Sequence, residues 1–108
     1  MGIFNLFRKE KSDKDKTEFK FSDAENKAIF TCNHVTDLKS PILYASHDND
    51  GDWQFLCGQD EHTEKNAKII SLKNAVELDT TLNQLFEMPI GVGAERTTVG
   101  EKWNPFRL

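Results

Sequence analysis

The chain has 108 residues, 37% of them hydrophobic and 30% charged, with a formal net charge of −4. That is enough apolar content for one continuous core, and the chain is too short for two. No stretch reaches the roughly 18–20 consecutive apolar residues of a membrane-spanning helix, and the start lacks the apolar run and small-residue cleavage site of a signal peptide, so a cytoplasmic protein is expected.

The charge is uneven. Residues 1–20 hold six basic and four acidic side chains, which leaves eight basic and fourteen acidic for residues 21–108, a net of −6. An acidic body of this kind repels nucleic acid phosphates and attracts basic partners, so a DNA- or RNA-binding role is disfavoured. Residues 1–20 read as a charged, flexible tail ahead of a single domain over 21–108. Its first part has an apolar patch, Ile3, Phe4, Leu6 and Phe7, followed by Arg8 and Lys9. Residues 2–9 suit either a two-turn amphipathic helix that docks on a membrane surface or on the domain, or a tail that orders only in contacts. The myristoylation pattern fails, because Leu6 stands where Ser or Thr is required. Residues 9–18 carry almost no apolar side chain and read as a linker.

From Phe19 the character changes. Ser22 to Glu25 has the form of a helix capping box, with room for about one turn. AIFTCNHV follows, rich in residues that fit a pleated sheet, and predicts a strand over Lys27–Val35. TDLKSP supplies turn chemistry, and Pro41 begins a second extended run, PILYASH. DNDG then separates that run from DWQFLCG. Asp50-Gly51 is a dipeptide that accepts the positive φ of hairpin turns, so the two runs are expected to pair antiparallel. Alternation in the second places Trp53, Phe55 and Cys57 on one face, directed inward, and Asp52, Gln54 and Leu56 on the other. AKIISL has consecutive apolar residues, which predicts a central strand covered on both faces.

Helical periodicity comes late. Val76, Leu82, Leu85 and Phe86 form an apolar stripe, Asp79 to Thr81 offer N-cap oxygens, and the helix must end before Pro89. GVG at Gly91 to Gly93 lets the chain turn. One short strand and a turn at Gly100 then lead to Trp103. Strands early and a better helix late predict an α+β fold: a mainly antiparallel sheet of about four or five strands with one or two short helices packed on it.

Four chemistries could use residues of these elements. Asp48, Asp50 and Asp52 fall at alternate residues as in a calcium-binding helix-loop-helix, but position 6 of such a loop is Trp53 instead of Gly and position 12 is Gln59 instead of Glu. Cys32, His34, Cys57 and His62 are zinc-ligand types, yet their C-x-H and C-x4-H spacings match no common zinc knuckle, and two reduced, buried thiols are the simpler reading. A Cys/His nucleophile lacks an activating environment, since acidic surroundings raise a thiol pKa. The GVG segment does not continue into a phosphate-binding glycine pattern. No catalytic residue, metal or cofactor is therefore expected. Arg96 could stack on an indole or pair with Glu95, Glu77 or Asp79, but an arginine at a strand edge is most often solvated or in a structural ion pair, so a structural role is expected before a functional one.

Surface charge remains. Asp48, Asp50 and Asp52 at the hairpin tip, with Asp60, Glu61 and Glu64 in the loop after the second strand, are the candidate residues for contact with a basic protein partner. A strand of about seven residues at roughly 3.3 Å each would keep the two groups some 20 Å apart. The alternative is a small ligand-binding or enzymatic domain with a pocket lined by His34, Trp53, Arg96 and Trp103.

The succession TCNHV, PILYASHDNDGDWQFLCG, KIISL, LDTTLNQLFEMPIG, AERT and Trp103 resembles the bacterial family predicted to be immunity protein 33 of polymorphic toxin systems, long described as a domain of unknown function. The likeness covers about residues 27–104. It rests on the DGDWQF hairpin, the Pro-x-Gly at Pro89 to Gly91 after a short helix, and the later Arg96 and Trp103; the N-terminal tail departs from the pattern. The resemblance implies an α+β protein that binds and neutralises a cognate toxin without catalysis of its own.

Overall fold

A computed structural model describes residues 17–58 and 64–108. Six strands form one sheet: β1 Ala28–Cys32, β2 Tyr44–His47, β3 Trp53–Leu56, β4 Ala67–Ser71, β5 Val92–Glu95 and β6 Asn104–Arg107. Their order is β4-β1-β3-β2-β5-β6. The pairs β1–β4, β2–β3, β2–β5 and β5–β6 are antiparallel, while β1 and β3 run parallel. The fold is thus α+β, with a mixed sheet of six strands where four or five were expected. The additional strand is β6. Its sequence NPFR has one apolar side chain apart from the proline, and Pro105 is tolerated there because β6 is an edge strand.

The hairpin follows its local chemistry. Gly51 donates its N–H to the Asp48 carbonyl at 2.8 Å and Asp48 donates to the Asp52 carbonyl at 2.7 Å. Gly51 has φ 91°, which is the type I turn plus left-handed residue of a three-residue hairpin loop. Tyr44 to His47 then pair with Leu56 to Trp53. Trp53, Phe55 and Cys57 are buried, as the alternation predicts, while Gln54 and Leu56 are half-buried.

Other boundaries differ from the sequence reading. β1 stops at Cys32, and Asn33–Thr36 turns into a single helical turn that buries Val35. β4 lies at the sheet edge, not at its centre. Ile70 packs against the core, whereas Ile69 is 65% exposed on the other face. Two consecutive apolar residues in a strand point to opposite faces, so the pattern reports two apolar surfaces without saying that both are covered. The single late helix is in fact two pieces. An α-helix over Leu72–Leu78 is capped by Ser71, whose side chain accepts the Asn74 N–H, and a 3-10 helix over Thr80–Leu85 is capped by Asp79, which accepts the Thr81 N–H. Val76, Leu82 and Leu85 are buried as expected, but Phe86 is 40% exposed, with Lys20 Nζ 5.7 Å from its ring centroid.

Both helices contribute to one side of the sheet. Leu72, Ala75, Val76, Leu82 and Leu85 join Ile29, Ala45, Trp53, Phe55 and Ala94 in a single core. Phe21 meets Trp53 edge-on at 5.1 Å. The packing reaches back to Glu18: buried Asn83 accepts the Lys20 N–H and donates to the Glu18 carbonyl, both at 2.9 Å. Residues 2–9, the candidate peripheral contact, lie outside the described residues. Among the described residues no helix is long and apolar enough to cross a membrane.

Candidate functional site

The strand registers place Ile69, Phe30, Gln54, Ser46, Gly93 and Phe106 in one row across all six strands, on the face opposite Ile29 and Phe55. A second row on the same face holds Leu56 and Tyr44. At the β5–β6 end this face is filled by the Phe106 ring, which lies over Gly93 so closely that a Cβ there would come within 2.7 Å of it. The Tyr44 ring sits 5.9 Å away from that of Phe106. Toward the other edge the face opens, with Phe30 37% and Ile69 65% exposed.

A cleft of about 420 Å3 lies on this open half. Phe30 and Leu56 give it an apolar floor, Gln54 a polar centre, and Asp48, Asp50 and Asp52 an acidic wall. The parity of β3 creates the arrangement. Turning Trp53 and Phe55 inward necessarily turns Asp52, Gln54 and Leu56 outward, and the three-residue loop sets Asp48 and Asp50 beside them. The three carboxylates are not equivalent. Asp48 accepts from Ser46 Oγ at 2.8 Å and from Gln54 Nε2 at 2.7 Å, so its charge is held by the sheet itself. Asp50 accepts the Asp52 N–H at 3.1 Å and is exposed to solvent, and Asp52 is partly exposed. Of the other acidic candidates, Asp60 and Glu61 lie outside the described residues, as does the side chain of Glu64, whose backbone opens the 3-10 turn Glu64–Asn66.

Of the alternative pocket residues, Arg96 and Trp103 are in contact with each other, while Trp53 and His34 have other partners. The Trp53 ring stacks on His47 at 3.9 Å, and His47 Nδ1 meets the Met88 carbonyl at 2.8 Å. Arg96 is buried: its Nε and Nη2 donate to the Ile42 carbonyl at 3.1 and 2.9 Å, Nη1 donates to Thr81 Oγ1 at 2.9 Å, and Nη2 meets Asp79 Oδ2 at 2.7 Å. The guanidinium also lies 4.0 Å over the Trp103 ring. Arg96 therefore takes both structural options read from the sequence, stacking on an indole and pairing with Asp79. A second cleft, lined by Val35, Ile42, Leu78, Asp79 and Val99 among others, includes none of the four pocket candidates, and neither does the cleft on the open face.

His34 is elsewhere, beside Cys57, with Nδ1 3.5 Å from Sγ. Cys32 completes this group: the ligand atoms of Cys32, His34 and Cys57 all lie within 4.8 Å of one another. Both cysteines are buried and unbridged. Among the described residues this is the one group of three or more side chains placed to share a metal ion, and the hairpin aspartates do not form another. Sequence spacing gave no sign of it. What joins Cys32 to Cys57 is the parallel pairing of β1 with β3, which sets the carboxyl ends of two strands side by side.

Comparison with family models, curated proteins and solved structures finds no match for the chain.

Proposed function

We propose that the chain is a non-catalytic binding protein that captures a basic protein on the open half of its sheet, and that this protein is a cognate toxin, as the family resemblance implies. The observation that carries the reading is the juxtaposition of the Phe30–Leu56 floor with the Asp50 and Asp52 wall. An apolar anchor flanked by Lys or Arg satisfies both parts of such a surface: burial of the aromatic and aliphatic groups supplies affinity, and opposite charge supplies encounter rate and register. The net of −6 over residues 21–108 extends the attraction beyond the contact itself. Of the residues named for an alternative pocket, Arg96 is engaged with Asp79, Thr81, Ile42 and Trp103.

Titration calorimetry with the product of the gene neighbouring this chain's own tests the reading. Asp50→Asn combined with Asp52→Asn is the informative variant, because Asp48 also holds Ser46 and Gln54 and its loss would disturb the sheet. The double variant should weaken binding by roughly 10-fold or more and flatten its dependence on salt. Phe30→Ser should weaken it at every salt concentration. Unchanged affinity in both variants would contradict the assignment of this face.

A further inference from the structure

We infer that Cys32, His34 and Cys57 form a binding site for a thiolate-preferring transition-metal ion, and specifically Zn2+. The ligand set is two soft sulfurs and one imidazole nitrogen, a combination that suits zinc and disfavours Mg2+ or Ca2+, which take oxygen. The spacing fits as well. With Zn–S near 2.3 Å and Zn–N near 2.0–2.1 Å, tetrahedral ligands stand about 3.6 Å apart for an S–N pair. Cys57 Sγ and His34 Nδ1 are 3.5 Å apart, and Cys32 Sγ belongs to the same group within 4.8 Å. A thiol–imidazole hydrogen bond alone would explain the first distance, but it gives no reason for a second sulfur within the same small sphere.

The backbone around the group is fixed before any ion arrives. Cys32 ends β1, and the single helical turn that starts at Asn33 folds His34 back beside it. The His34 carbonyl accepts from Leu38 at 3.2 Å and from Ser40 at 2.9 Å, so the following loop holds the turn in place. On the other side, Leu56 pairs with Tyr44 and its carbonyl accepts the Leu43 N–H at 2.9 Å, immediately before Cys57. Ligands carried by the end of β1, the helical turn after it and the residue after β3, and held by such bonds, lose little freedom on binding, which favours affinity. Binding would convert both thiols to thiolates and release their protons. Three protein ligands leave the fourth tetrahedral position to a water or another donor. The site is separate from the proposed docking face: none of its three residues lines that cleft.

The test is metal loading of the full chain, reduced and freed of metal by a chelator. After incubation with Zn2+ and gel filtration, atomic emission should find stoichiometric zinc. Co2+ in its place should give thiolate-to-metal charge transfer and the intense visible bands of tetrahedral coordination. The wild-type thermal midpoint should rise with added Zn2+. His34→Gln and Cys57→Ser should each lower zinc affinity by more than the 10–100-fold that loss of an outer-shell partner costs. If Cys57→Ser does not fold, His34→Gln decides, since His34 is only partly buried. Substoichiometric zinc in the wild type, or a cobalt spectrum and zinc-dependent midpoint shift that survive in His34→Gln, would overturn the inference.

Discussion

Arg96 and Asp79 form a buried ion pair, Nη2 to Oδ2 at 2.7 Å, with the arginine side chain fully withdrawn from solvent and that of aspartate 13% exposed. The pair ties the loop between the two late helices to the start of the segment after β5. The Ile42 carbonyl and Thr81 hydroxyl take three more of the guanidinium N–H groups, and Trp103 covers its face. Removing one partner of such a pair leaves a charge in the interior without its counterion, which typically costs about 3–5 kcal/mol. Arg96→Ala should therefore lower stability by that order in urea denaturation. Arg96→Lys should recover little of it, because an ammonium cannot serve the carbonyl, the hydroxyl and the carboxylate in one plane.

Gly51 isolates a purely conformational effect. A Cβ built there meets nothing within 4 Å, yet φ is 91°. Gly51→Ala should cost about 1–2 kcal/mol, the strain of an L-residue in the left-handed region, and Gly51→Asn less. Equal denaturation midpoints for the two variants would contradict the turn geometry.

Trp53 carries a second contrast. It is 1% exposed, and its indole Nε1 has no hydrogen-bond partner among the described residues. Trp53→Ala should cost about 3–5 kcal/mol through lost burial and a cavity. Trp53→Phe removes the unpaired donor together with part of the ring, and leaving such a donor buried costs about 1–3 kcal/mol. The phenylalanine variant should lose less than half as much stability as the alanine variant in the same denaturation series.

Asn83 anchors the entry of the chain. Its amide bonds Lys20 N–H and the Glu18 carbonyl across more than sixty residues of sequence. Asn83→Ala should cost about 1–3 kcal/mol. It should also raise amide hydrogen exchange at Lys20 well above that of the β2–β3 ladder. Exchange at Lys20 that does not change would mean that Phe19 and Phe21 hold this segment without the amide.

The hairpin was legible in the sequence because everything that specifies it is local: a dipeptide that accepts positive φ, and a period of two on either side. The inward turn of Trp53 and Phe55 came with it. The pairing of β1 with β3 was not legible, since two parallel neighbours are joined through a distant part of the chain and no short-range pattern reports them. The Cys32–His34–Cys57 cluster was hidden for the same reason, because its ligands are close only once those strands align. β4 misled by composition, and Ile69 shows that an apolar run need not be covered. The break at Asp79 divided one apolar stripe between two helices, as an aspartate that caps the second also ends the first. The acidic tip was read correctly as a position, but the engagement of Asp48 by Ser46 and Gln54 could come only from the register that puts those side chains on one face.

Whether the open half of the sheet is the binding surface is decided by amide hydrogen exchange of the full chain with and without the product of the gene neighbouring its own. Binding on that face gives added protection over residues 48–52 and in β1 and β3, with little change in the helix Leu72–Leu78. Protection concentrated on that helix, with the hairpin tip exchanging as in the free chain, would contradict it.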